Sequence, residues 1–542
     1  MRGRYVAVLL TVTVGVLGSS QAAIGSSGHE EEYGQACEAA KIMCQDPAST
    51  PGGHYIGHDE PSVGFESNRP GSGNDVTYTV RLPKNPPTLP QQNQKGGTWD
   101  FMLRPTFWLG MVLCDTQSAP DFTHKCTPDS DANNKVSPNP RSPNYIGKHP
   151  GNAFMEVQWY SPGYVPQFDG FGCTARQYCA ALTIDSFPSN QNTGQFNNND
   201  CNNFPLAGIE PINWAYVTRS GKSQAPANPL ATSRDLLDDG VVKALNPDPS
   251  VDLMMNPGDV IRVHIHDTPA GVRVDMTDLT TGTRGSMTAS KANGFGQIMF
   301  QPNSSRCHVR PYAFHPMYDT AVPRGNTWAA HANNLAFADE IGHYEYCNAI
   351  DGEGGNCTKS APPDTTVDFD DTGCFDGAAS TLVQLIGCFG PGDFDWDGTS
   401  YQRDWPGTLA NRHLDRKLHE TPLMISSPTT RGHNYRRALF EVNLPSNETP
   451  DVGGVCDTST GEGCTLPAPG TAFYPIWTTR MVGGKCMFQQ GGDLMPHKRD
   501  FGGNVKTEYG HLFRMIFPGA GFQPEVRFEN FRRTLRSNPC PA

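Results

Sequence analysis

Charge is scarce in this chain, and most of it is negative. Only 18% of the 542 residues are charged, with 42 Lys+Arg against 55 Asp+Glu and a formal net charge of −13. A nucleic-acid partner calls for a concentrated basic face, so none is expected. Long apolar runs are also missing. After residue 23 no stretch approaches the roughly 18 apolar residues that a membrane helix needs, and no membrane span is expected. The sequence has no CxxC pair and no HExxH, so a zinc ribbon, a thioredoxin-like centre or a zincin has no starting point. A GxSxG elbow, a P-loop and a dinucleotide fingerprint are likewise absent.

Turn formers are abundant instead, with 57 Gly and 46 Pro. They favour short strands joined by turns and argue against helical bundles. At the N-terminus Arg2 and Arg4 precede an apolar run from Tyr5 to Gly18 and the small residues Ser20 to Ala23. This is the pattern of a secretory signal peptide over 1–23, which implies an extracellular protein. All 16 Cys follow it, an even number in an oxidising compartment. Local disulfides are expected between Cys37 and Cys44, Cys114 and Cys126, Cys173 and Cys179, and Cys456 and Cys464, with Cys307 and Cys347 closing a longer loop. Sequons at Asn303, Asn356 and Asn447 suit glycosylated surface loops.

The organisation reads as follows. Residues 24–98, rich in Gly, Pro, Ser and His, suggest an extended arm containing one strand, Val76 to Leu82. Residues 99–350 carry regularly spaced strand patterns: 154–160, 179–184, 214–218, 260–266, 272–278, 296–300 and 334–341. That spacing predicts an all-β sandwich or jelly roll. Short helices are expected at 231–245 and 378–388. A polar linker spans 351–422, and 423–542 forms a further strand-rich part, either a second domain or remaining strands of the first sheet.

Four patterns carry chemistry. In Asp393-Phe-Asp395-Trp-Asp397-Gly398 followed by Asp404, acidic residues fall at positions one, three, five and twelve, with Gly at six. This spacing wraps oxygens around a hard cation, and the segment resembles dockerin-like loops, which implies a structural calcium ion. In Ala153 to Tyr160 the period of two puts Glu156, Gln158 and Tyr160 on one face, with Met155, Val157 and Trp159 opposite. A carboxylate and an amide beside aromatic rings suit a sugar-binding groove. In Asn333 to Cys347, Glu340 shares a face with Ala336 and Ala338, while His343 and Glu345 alternate with Tyr344 and Tyr346. If the two strands share a sheet, Glu156 and Glu340 form a carboxylate pair, with Glu345 as substitute. A separation of ~5.5 Å would imply retention and ~6.5–9.5 Å inversion at the sugar. Gln158, Tyr160, His266 and His343 are the expected substrate-binding residues. His264 and His266, two apart on one strand, could also clamp a transition metal with a third ligand from His315, His331, His343 or Met317.

The Phe154–Tyr160 stretch resembles the strand carrying the nucleophilic Glu in concanavalin-like and jelly-roll glycoside hydrolases. Pro257 to Thr288 resembles a hairpin pair of the glutamic peptidases, a relationship that would cast Gln158 or Gln297 with Glu340 as the working pair. The runs GHDEPSVGFESNRPGSGN, HDTPAG, FHPMY and ADEIGHYEYC resemble a group of long secreted bacterial and fungal proteins to which no activity attaches. The favoured expectation is a secreted polysaccharide hydrolase working with two carboxylates. The alternatives are a non-catalytic carbohydrate-binding or cell-surface protein, a glutamic-type peptidase and a His-ligated metal enzyme.

Overall fold

The computed structural model describes residues 62–67, 69, 72–84, 106–117, 151–160, 162, 173–174, 176–186, 189–190, 195–196, 212–231, 247–316, 335–339, 343–345, 347–350, 357–360, 384–386, 423–441, 477–490, 513–516, 526–529, 531–535 and 537–540. Among them the architecture is strand-rich and antiparallel. The strands of the two large sheets are, in chain order, β1 (Ser62–Glu66), β2 (Asp75–Arg81), β3 (Thr106–Asp115), β4 (Gly151–Tyr160), β5 (Cys179–Ser186) and β6 (Ile212–Tyr216). They continue with β7 (Val260–Thr268), β8 (Gly271–Asp278), β9 (Arg284–Thr288), β10 (His315–Pro316), β11 (Leu335–Asp339), β12 (Met424–Ser426), β13 (Thr429–Thr430) and β14 (His433–Asn434). The last four are β15 (Arg437–Glu441), β16 (Trp477–Val482), β17 (Lys485–Gln490) and β18 (Phe531–Leu535).

The first nine-stranded sheet runs β18-β15-β1-β11-β3-β4-β5-β6, with β10 paired to β3. The second, also nine-stranded, runs β9-β8-β7-β2-β12-β17-β16, with β13 and β14 attached through β2. Side-chain alternation explains how they meet. On β7, Ile261, Val263 and Ile265 are fully buried while Arg262, His264 and His266 lie on the other face. Val272, Val274 and Met276 of β8 and Val76, Tyr78 and Val80 of β2 follow the same rule. From the first sheet come Leu109, Met111, Met155, Val157, Trp159, Leu182 and Ile184, and both sets belong to one hydrophobic cluster. Phe65 of β1 meets Phe488 of β17 edge-on across this core, ring centroids 5.1 Å apart. Full burial of each such side chain stabilises the fold by about 1.5–3 kcal/mol.

Several sequence expectations change here. The described part of the expected arm supplies β1 and β2, and β2 is hydrogen-bonded on both sides, to β7 and β12. Strands β12 to β18 of the C-terminal stretch enter both large sheets, as the second of the two expected alternatives allows, while Phe513–Ile516 and Val526–Glu529 pair with each other in a separate two-stranded sheet. Within the expected helix at 378–388, Gln384–Ile386 is a strand paired with His343–Glu345, because cross-strand hydrogen bonding overrides a weak helical period. The helix expected at 231–245 lies, beyond Ala231, outside the described residues. No helix among the described residues is long and apolar enough to cross a membrane.

Turn chemistry fixes the connections of the 257–288 segment. Asp259 Oδ2 accepts from the Asn256 amide at 2.6 Å, and Gly258 takes φ +88°. Asp278 accepts from the Thr280 and Thr281 amides at 2.8 and 3.1 Å in the β8–β9 connection. The β7–β8 hairpin closes through Gly271 at φ +130°, where a Cβ would sit 2.4 Å from the Ala289 carbonyl oxygen. Gly271→Ala combines that clash with a left-handed backbone, and should cost on the order of 3 kcal/mol, read as a lower denaturant midpoint at unchanged m-value.

The expected Cys173–Cys179 disulfide is present, with Cα atoms 5.6 Å apart. A second, Cys486–Cys540, ties β17 to the chain end. Each remaining expected pairing involves a residue or side chain outside the described set.

Candidate functional site

Glu156 sits in the middle of β4, which is flanked by β3 and β5. Because Met155, Val157 and Trp159 enter the core, Glu156, Gln158 and Tyr160 project from the opposite face. In register, Glu156 stands between Gly110 and Thr183, Gln158 between Trp108 and Ala181, and Tyr160 between Thr106 and Cys179. The next strand places Trp214 opposite Thr183 and Tyr216 opposite Ala181. Ala181 is the small residue between Gln158 and Tyr216 in register.

One donor chain links these groups. Trp214 Nε1 donates to the Tyr160 hydroxyl at 3.0 Å. Tyr160 donates to Gln158 Oε1, and Gln158 Nε2 donates to Glu156 Oε2. Every step points toward the carboxyl group, so each donor polarises the next and the glutamate is the final acceptor. Glu156 is 6% exposed, which makes this satisfied network necessary: an unpaired buried carboxyl would be costly. Trp214 and Tyr216 meet edge to face at 4.4 Å beside it. Tyr160, Cys179, Ala181, Trp214, Tyr216 and Met254 form a second apolar cluster on this face. Burial, aided by the charge of Asp252, holds the Tyr216 hydroxyl well above the usual tyrosine range, so that hydroxyl keeps its proton.

Asp252 itself is buried, which pushes its carboxyl up to about 6, against the pull of hydrogen bonds from the Asp248 amide and Gln224. A carboxyl raised on folding stabilises the protein fully below its unfolded pKa, and that contribution disappears as pH rises through the folded value. Asp252→Asn keeps the acceptor for both donors and removes the titration. Its melting temperature relative to wild type should therefore be higher at pH 7 than at pH 4, with the change falling between those values.

The other expected site residues distribute as follows. Glu340 lies outside the described residues, as do Asp393, Asp395, Asp397, Asp404, His331 and Met317. Glu345 and His343 lie on a strand paired with Gln384–Ile386, separate from both large sheets. Gln297 is buried and committed elsewhere, donating to Asp115 and accepting from Arg310 at 2.8 and 3.0 Å. It therefore does not join Glu156. His266 does not join it either: β7 belongs to the second sheet, and its outward face lies across the core from the outward face of β4.

On that second face His264 and His266 stack in parallel, 4.5 Å between centroids and 8° between planes. His264 Nε2 is 2.9 Å from Asp75 Oδ1 and His266 Nε2 is 2.8 Å from Asp275 Oδ2. His315 pairs with Asp267 instead, Nδ1 to Oδ1 at 2.7 Å. Burial pushes the Asp267 carboxyl up, although the His315 bond opposes this.

The fold and site thus define an antiparallel all-β protein with a buried, hydrogen-bonded carboxyl group on one sheet face. Comparison with protein-family models, curated proteins and solved structures finds no match. Sequence reasoning missed Trp214 as the start of the donor chain and the acidic partners of the two histidines. Alternation marks the faces, but cross-strand register decides the partners.

Proposed function

We propose that the protein is a secreted hydrolase of an extracellular polysaccharide, built on a jelly-roll, concanavalin-like sandwich, with Glu156 as one of its two working carboxyl groups. The observation that carries this reading is the donor chain Trp214–Tyr160–Gln158–Glu156 beside an aromatic cluster. Aromatic rings suit the apolar faces of sugars, and an oriented carboxyl group suits proton transfer at a glycosidic oxygen. In this scheme one carboxyl protonates the departing oxygen while the other attacks the sugar or activates water. The second carboxyl is assigned on sequence grounds to Glu340, with Glu345 as substitute. Calcium held by Asp393, Asp395, Asp397 and Asp404 belongs to the same proposal as a structural ion, and N-glycosylation at the three sequons as a surface modification.

A glutamic-peptidase reading draws on the direct bond between Gln158 and Glu156, which places an amide and a carboxyl on one sheet face. The test is the untreated secreted chain incubated with a glycan panel and, in parallel, with casein at acid pH. Release of reducing ends supports the glycosidase. Casein cleavage without sugar release replaces it with the peptidase, and retention on insoluble glycan with no products replaces it with a binding protein.

A further inference from the structure

We propose that His264, His266 and Asp275 bind a divalent transition-metal ion on the outward face of the second sheet. Their donor atoms all lie within 4.8 Å of one another. The placement follows from strand periodicity: Val263 and Ile265 enter the core, so the histidines at i and i+2 emerge side by side, and register sets Asp275 of β8 opposite His264. Two imidazoles and one carboxylate form a donor set suited to zinc, copper or nickel, and they leave coordination positions open.

Both Nε2 atoms already point at carboxylate oxygens, at 2.9 and 2.8 Å. Each of those bonds contains a proton that a metal would displace, as ligation by neutral imidazole requires. The parallel stacking keeps both rings aimed outward together. Arg273 supports the third ligand, donating from Nε and a terminal nitrogen to Asp275 at 2.8–3.0 Å. Such outer bonds orient a metal-binding carboxylate without occupying the metal.

The site is reachable from solvent: the side chains of His264 and His266 are 40% and 29% exposed. A cavity of about 400 Å³ opens over it, lined by Thr77, Arg262, His264, Asp275, Thr277 and Arg284 among others. Two of the three ligands, His264 and Asp275, line this cavity, and its two arginines favour an anionic ligand there. Because the site is on the sheet opposite Glu156, this proposal stands or falls independently of the hydrolase reading.

The test uses full-length, untagged secreted protein, stripped with a chelator that is then removed, and titrated with Zn²⁺ by calorimetry. One equivalent should bind, and His264→Ala and His266→Ala should each weaken binding by at least about tenfold. His433→Ala, an exposed histidine on β14, should leave it unchanged. Should either ligand variant fail to fold, one equivalent of Cu²⁺ added to the wild-type protein should show two-nitrogen coupling in its EPR spectrum. Absence of Zn²⁺ binding below about 100 μM, affinity preserved in both histidine variants, or a copper spectrum without nitrogen coupling would overturn the assignment.

Discussion

Glu156→Gln should lower kcat for polysaccharide hydrolysis by about 10³-fold while KM changes little, a loss within the range assigned to a positioned general acid. The substitution preserves shape, and its amide oxygen still accepts from Gln158, so the donor chain from Trp214 keeps its geometry. What disappears is the ability to give up or take a proton, or to attack the sugar. The far-UV circular dichroism and melting temperature should stay close to wild type, which separates lost chemistry from lost fold. Equal rates in wild type and variant would remove Glu156 from the mechanism. A loss confined to KM would make it a binding group only.

The second large effect concerns the Cys486–Cys540 bridge. The bond closes a loop with a sequence separation of 54 and links β17, next to β12 in the second sheet, to the C-terminal segment. That segment is also held by Asn538, whose side-chain amide donates to Ser427 Oγ at 2.6 Å and to the Tyr435 carbonyl at 2.9 Å. Loop-closure entropy for this separation gives a contribution of about 4 kcal/mol. The double variant Cys486→Ala/Cys540→Ala should therefore show a markedly lower denaturant midpoint, whereas loss of the short Cys173–Cys179 loop should cost less. Equal effects for the two bridges would place the stabilisation in local packing rather than in chain closure.

Local alternation made β4, β5, β7 and β8 legible in the sequence. Each of these strands has one consistently apolar face, and a period of two is enough to find it. β3 escaped the same reading. Trp108, Leu109 and Met111 are all buried, on both faces, so the run TFWLGMVL shows no polar beat. Yet β3 is the strand beside Glu156, with Gly110 in register with it.

The partition into arm, central part and C-terminal part also followed local composition, and pairing crosses it. The Thr79 amide donates to Ser426 Oγ across a separation of 347 residues, a relation that no local pattern contains. The grouping of His266 with Glu156 failed for a related reason. Periodicity reports which residues leave the core, but not from which of two sheets they leave. The stacked histidines were visible as a pair at i and i+2, while Asp275 became their partner only through the β7–β8 register.

The most direct test of the proposed hydrolase is a crystal structure of the Glu156→Gln variant with an oligosaccharide from the most susceptible glycan. A glycosidic oxygen should lie within about 2.6–3.2 Å of the residue 156 side chain, with a sugar face against Trp214 or Tyr216. An oligosaccharide bound elsewhere, with the face of β4 vacant, would contradict the account.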